Sequence, residues 1–215
     1  MSNQLRTSPL KRIRFAPVAL LAGIFAAVLL SLSLTGTLSG FAASITNSSN
    51  TAASGTLIMQ EQNANASVTC LSTDGGSVST NAATCSTINK FGGSTTMTPG
   101  NTVNTPITIK NTGTAAASTF TLTPGAACTQ SANGTSNGTA TDLCAKMNLV
   151  VTSGSATVFS GTLASFKGGA AITLPTAPAA GASVPFNFAV TLDSSAGNTY
   201  QGLAASVPMT WTFTA

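Results

Sequence analysis

The feature that most constrains this fold is a pair of alternating stretches near the C-terminal end. Val184, Phe186, Phe188, Val190 and Leu192 alternate with Pro185, Asn187, Ala189 and Thr191. After a turn-rich gap over residues 193–202, Val207, Met209, Trp211 and Phe213 alternate with Pro208, Thr210 and Thr212. A period of two predicts strands with one apolar and one polar face. The only Trp, the only Tyr (Tyr200) and three of the ten Phe fall in this region. The two stretches therefore read as the centre of an all-β core.

The rest of the chain extends the same pattern. Strands are expected over residues 55–60, 67–71, 95–98, 105–111, 117–123, 146–152, 158–159, 163–166 and 172–174, with no helix after residue 40. Leu57 and Met59 share one face, as do Ile107 and Ile109, Phe120 and Leu122, and Leu149 and Val151. These residues, with Phe186, Phe188, Val190, Trp211 and Phe213, form the expected core. Many short strands with Gly- and Asn-containing turns predict an antiparallel jelly roll or β-sandwich. Thr and Ser occupy outward positions where most proteins place charge, which leaves strand edges without their usual protection.

The N-terminal segment has a different character. Arg6, Lys11, Arg12 and Arg14 precede an uncharged apolar run over residues 15–34, and small residues follow. Basic lead, apolar stretch and small-residue exit predict a secretory signal helix over residues 1–42, cleaved between Ser39 and Ser44. A retained membrane anchor is the alternative, since the run is nearly long enough to span. Residues 43–53 are Ser, Thr, Asn and Ala with Ile45 as the one large side chain, and read as a flexible arm. A single sandwich domain is expected over residues 54–215.

Composition excludes several functions. Charged residues make up 6% of the chain, against about a quarter in ordinary globular proteins. Beyond the basic lead, Lys90, Lys110, Lys146 and Lys167 are balanced by Glu61, Asp74, Asp142 and Asp193. That leaves no basic face for nucleic acid. The chain has no His and no H-E-x-x-H, and none of Lys90, Lys110, Lys146 and Lys167 stands in an S-x-x-K spacing, so neither a serine triad nor a zinc hydrolase site can be built. No catalytic residue, cofactor or metal is expected, and membrane contact is expected only through the N-terminal segment before cleavage.

Cys70, Cys85, Cys128 and Cys144 are an even set in a chain read as exported, and allow three connectivities. Pairing Cys70 with Cys85 and Cys128 with Cys144 is preferred because each pair brackets one polar, turn-rich loop. Closing a loop of about 15 residues stabilises by roughly 3 kcal/mol in the chain-entropy model. Without a CxxC or any His, structural disulfides are favoured over a metal site.

One family resemblance emerges from particular residues. A signal peptide ending near Phe41, a short polar segment and then Ala53-Ser54-Gly55-Thr56-Leu57 resembles the TasA/camelysin-like family of secreted biofilm-matrix proteins. The Ile107-Thr108-Ile109-Lys110-Asn111-Thr112-Gly113 hairpin and the strand over residues 186–192 are similar to the body of that family. The resemblance implies processing by a SipW-type signal peptidase and a jelly-roll subunit of extracellular fibres. It also implies that an N-terminal arm completes the sheet of the next subunit, a role that would fall to Phe41, Ile45 and Ala53. This chain departs from the pattern in its four Cys, its scarcity of charge and an arm of little apolar content. Some members are described as metalloproteases, and the absence of His argues against that activity here.

The expected function is that of a secreted, non-enzymatic structural protein that assembles with itself at the cell surface or in a matrix. The alternative is an extracellular adhesin or carbohydrate-binding sandwich using the Asn- and Gly-rich loops.

Overall fold

The computed structural model describes residues 16–34 and 43–215, with the side chains of the first helix described over 20–29. The chain divides into two units, Met1–Ala52 and Ala53–Ala215. The first contains α1, Ala16–Leu34. Pro17 sits in its first turn, where a missing N–H costs no hydrogen bond. Among the described residues, no helix is long and apolar enough to cross a membrane. Residues 43–53 form neither helix nor strand and are exposed, with Ile45 at 93%. Phe41 and most of the expected signal peptide lie outside the described residues.

The second unit is an antiparallel β-sandwich. Its strands are β1 (Met59–Asn63), β2 (Thr69–Leu71), β3 (Thr102–Asn111), β4 (Thr119–Pro124), β5 (Thr129–Ala132) and β6 (Met147–Ser153). They continue as β7 (Ala156–Thr162), β8 (Ile172–Thr173), β9 (Ser183–Leu192), β10 (Leu203–Ser206) and β11 (Met209–Thr214). One sheet has the order β2-β1-β3-β9-β6-β7, a second β11-β4-β8, and β10 pairs with β5 in a small third. The chain crosses between sheets after β3, β4, β5, β7, β8, β9 and β10, so strands distant in sequence become neighbours in the sandwich.

Proline placement follows the register. Pro106 of β3 lies just beyond the last β1 partner, Ile107, so its missing N–H faces no neighbour there. Pro185 of β9 likewise lies outside the β6 pairing, which ends at Asn187. Each proline sits where a flanking strand has stopped, as its chemistry requires.

Ile107, Ile109, Phe120, Leu122, Leu149, Val151, Phe186, Phe188 and Val190 are buried in one cluster. Met59, Trp211 and Phe213 pack against it while only partly buried. Leu57, expected in the core, is half-buried and lies outside that cluster. Residues 56–58 precede β1 and are held by the loop after β3, through Thr112 N–H to Ile58 O at 2.9 Å and Thr114 N–H to Thr56 O at 2.8 Å. Gly113 permits this approach, because a Cβ there would collide with the Thr56 carbonyl.

Four other expectations are corrected. Of the first strand expected over residues 55–60 only 59–60 are strand, and β1 instead runs on to Asn63 through polar residues, because Glu61 continues the inward alternation of Leu57 and Met59. Residues 95–98 form no strand. Residues 163–166 are helical (α3, Leu163–Phe166), and a further helical turn, α2, spans Leu143–Lys146. In α3 the two apolar residues are three apart, a helical spacing that buries both on one side, and Thr162 Oγ1 accepts the Ser165 N–H at 3.1 Å as the N-cap. The region over residues 125–141, read as a polar excursion, contains β5, paired with the equally unanticipated β10.

Asn111, at the end of β3, is fully buried and fully engaged. Its Nδ2 donates to Ala115 O at 2.8 Å and Pro178 O at 3.2 Å, and its Oδ1 accepts from Gly113 N–H at 3.0 Å. Asn111→Ala would strand these buried groups, each costing about 1–3 kcal/mol. A loss of about 3 kcal/mol in chemical denaturation is expected, with the slope of the transition unchanged; a loss below about 0.5 kcal/mol would contradict this role.

Candidate functional site

β11 pairs with β4 along one edge only. Ser118 N–H donates to Thr214 O and Gly125 N–H donates to Pro208 O, both at 2.7 Å, so even-numbered residues turn their backbone groups toward β4. By the alternation of an antiparallel ladder, the N–H and C=O groups of Met209, Trp211 and Phe213 point to the open edge. Among the described residues they have no backbone partner there.

That edge faces a groove of about 650 Å³. Every residue from 206 to 213 lines it, inward and outward side chains alike, as expected where a strand presents its backbone edge. The opposite wall comes from Leu57, Met59 and Glu61, from Cys70 to Ser72 and from the loop ending at Phe91. Trp211 lines the groove and packs on the core, with its ring centroid 4.7 Å from Phe186, 5.5 Å from Phe120 and 6.2 Å from Phe188. Its Nε1 is buried and has no hydrogen-bond partner among the described residues.

The opposite wall is anchored three ways. The structure joins Cys70 to Cys85 across Cα atoms 5.9 Å apart, closing the loop back onto β2. Asn81 donates from Nδ2 to Leu57 O at 2.7 Å and accepts from Ser72 Oγ at 2.5 Å. Glu61 Oε1 meets Lys90 Nζ at 2.7 Å, with side chains only 8% and 11% exposed. Two charges this desolvated are costly unless paired, so the contact fixes the loop to β1 specifically. Ile88, two residues earlier, is buried in the main core and supports the same segment.

Glu61 and Lys90, which in the sequence count only toward charge balance, form a desolvated pair in the structure. The available signal was the step of two from Leu57 through Met59 to Glu61, which points a carboxylate inward and demands a cation. The loop's other wall residues, Asn81, Ile88 and Phe91, lie in a stretch without periodicity and carried no such signal.

The second disulfide, Cys128 to Cys144 with Cα atoms 6.3 Å apart, staples the start of β5 to α2 on another part of the sandwich. Both pairings are those favoured by loop spacing, and they are compatible with an oxidising, extracellular setting. Among the described residues no group of three or more His, Cys, Asp or Glu is placed to hold a metal. Of the arm residues, Ile45 and Ala53 are exposed, and Phe41 lies outside the described residues.

Lys90→Met removes the cation and leaves Glu61 buried without a partner. A destabilisation of about 3 kcal/mol is expected from thermal and chemical unfolding. The double variant with Glu61→Leu should recover most of it, whereas equal losses in single and double variants would show that the pair does not act as a unit.

No protein-family model matches this chain, and comparison with characterised proteins finds no significant match.

Proposed function

We propose that this chain is a secreted, non-enzymatic structural protein that assembles with copies of itself, the arm over residues 43–53 of one subunit adding a strand along β11 of the next. The observation that carries the reading is the open edge of β11 along a groove of about 650 Å³. Addition of a strand to an exposed edge is an established recognition mode in which backbone bonds supply affinity and side-chain pockets supply register.

The donor also fits in kind. Residues 43–53 are exposed and have no strand partner among the described residues, and their one large apolar side chain is Ile45. An incoming strand with Ile45 inward would bury that side chain against Met209, Trp211 or Phe213, contributing about 1.5–3 kcal/mol. The other arm residues are small or polar and would suit the solvent side. The resemblance to TasA/camelysin-like matrix proteins, carried by residues 53–57 and 107–113, supports a fibre subunit of an extracellular matrix. Processing by a SipW-type signal peptidase would free the arm, and the two disulfides are compatible with that destination.

Electron microscopy of the processed protein should show fibres that disappear when residues 43–53 are deleted. Ile45→Asp should raise the concentration needed for assembly by about tenfold or more, since it replaces the apolar anchor with a charge. A monodisperse monomer from the unaltered protein at all concentrations would overturn the reading.

A further inference from the structure

A second cavity of about 360 Å³ lies elsewhere in the sandwich. That size falls within the range of small-molecule sites, about 300–1,000 Å³. Its floor is a satellite apolar cluster separate from the main core: Leu143, Leu192 and Ala196 are buried, and Met97, Met147 and Leu203 pack against them. β10 forms one side, and the Cys128–Cys144 disulfide fixes α2, which contributes Leu143.

The polar lining is made of amides and hydroxyls. Among the described residues no Lys, Arg, Asp or Glu lines the cavity. Asn89, Asn133, Asn198 and Gln201 supply carboxamides, each with one arm occupied. Asn89 Oδ1 accepts from Phe91 N–H at 3.0 Å, Asn133 Nδ2 donates to Thr95 O at 3.3 Å, and Gln201 Nε2 donates to Asn198 Oδ1 at 3.3 Å. The other arms, Asn89 Nδ2, Asn133 Oδ1, Asn198 Nδ2 and Gln201 Oε1, have no hydrogen bond among the described residues and are two donors and two acceptors. Tyr200 adds an aromatic ring whose orientation is set from outside the cavity: its O–H donates to Asp142 Oδ1 at 2.7 Å. That carboxylate holds the phenol protonated by pushing its pKa up.

We propose that this cavity binds a neutral saccharide, independently of any assembly through β11. The absence of charge from the lining disfavours phosphates, carboxylates and amines, which would lose hydration without gaining a counter-ion. Asn89, Asn198 and Gln201 are exposed and Asn133 is half-buried, so a purely apolar ligand would cover hydrogen-bonding groups of this lining without pairing them. A sugar meets both demands, since vicinal hydroxyls match carboxamide donors and acceptors while the C–H face of the ring packs on Tyr200 and the apolar floor.

Calorimetric titration of the full chain with cellotriose, maltotriose and N-acetylchitotriose should give saturable binding for at least one of them. Gln201→Ala, at an exposed position, should weaken it by about tenfold, and Tyr200→Ala by at least as much. Should Tyr200→Ala unfold, Gln201→Ala alone decides. No saturation with any of the three through the millimolar range overturns the proposal. Unchanged affinity in Gln201→Ala, or equal competition by a neutral tripeptide, does the same. Deleting residues 43–53 should leave saccharide affinity unaltered, so failure of the assembly reading and failure of this one are separately visible.

Discussion

The contact on which the sandwich depends is the edge-on approach of Phe120, in β4, to Phe186, in β9, with centroids 5.8 Å apart. It joins the two principal sheets at a point where both rings are almost fully buried. Trp211 and Phe213 close on Phe120 from the neighbouring strand, at 5.5 and 4.8 Å. Such aromatic pairs add about 0.5–1.5 kcal/mol each beyond the area they bury. In a chain with so little charge, packing of this kind and the backbone ladders must hold the fold, because ion pairs are too few to share the task. Only Glu61–Lys90 is both close and desolvated among the described residues.

The same cluster explains why the groove exists. β11 contributes three inward side chains to the core but has a neighbour on one side only. Trp211 and Phe213 are therefore packed on one flank and open on the other, which is why they are half-buried where a central strand would bury them completely. A strand edge with inward aromatics and outward Thr lacks the charges, prolines within the strand and bulges that normally blunt edges. Pro208 precedes β11 without interrupting it. The wall opposite, held by Cys70–Cys85 and Glu61–Lys90, keeps the flank accessible rather than letting it collapse.

Much of this was legible in the sequence, and the divisions are physical. β3, β9 and β11 carry strict alternation because each has one face on the core and one away from it, so burial writes itself into period two. The disulfide pairing was legible because short polar loops place their ends close together. β5 and β10 were not legible: they pair mainly with each other, away from the main core, and Thr129-Gln130-Ser131-Ala132 has nothing greasy to alternate. α3 was misread because four residues cannot distinguish a buried strand from one helical turn. For the groove, the acceptor strand was visible as a pattern, while its open edge depends on strand order, which spacing does not encode.

The composition of the arm bears on how assembly would behave if strand exchange is its basis. Met209, Trp211 and Phe213 offer open-edge backbone groups, and each bond made there adds about 1 kcal/mol net. Ordering each arm residue costs about 1–2 kcal/mol, so the ladder and the lost chain entropy nearly cancel. The surplus must come from side chains, and Ile45 is the only large one between residues 43 and 53. A donor so lightly equipped would couple weakly in dilute solution and readily at high local concentration. The second cavity gains relevance here. Asn89, Phe91 and Ser206 line both it and the groove, so the proposed saccharide site adjoins the acceptor edge. Subunits gathered on a common polysaccharide would meet at raised effective concentration, the condition under which a weak donor strand suffices.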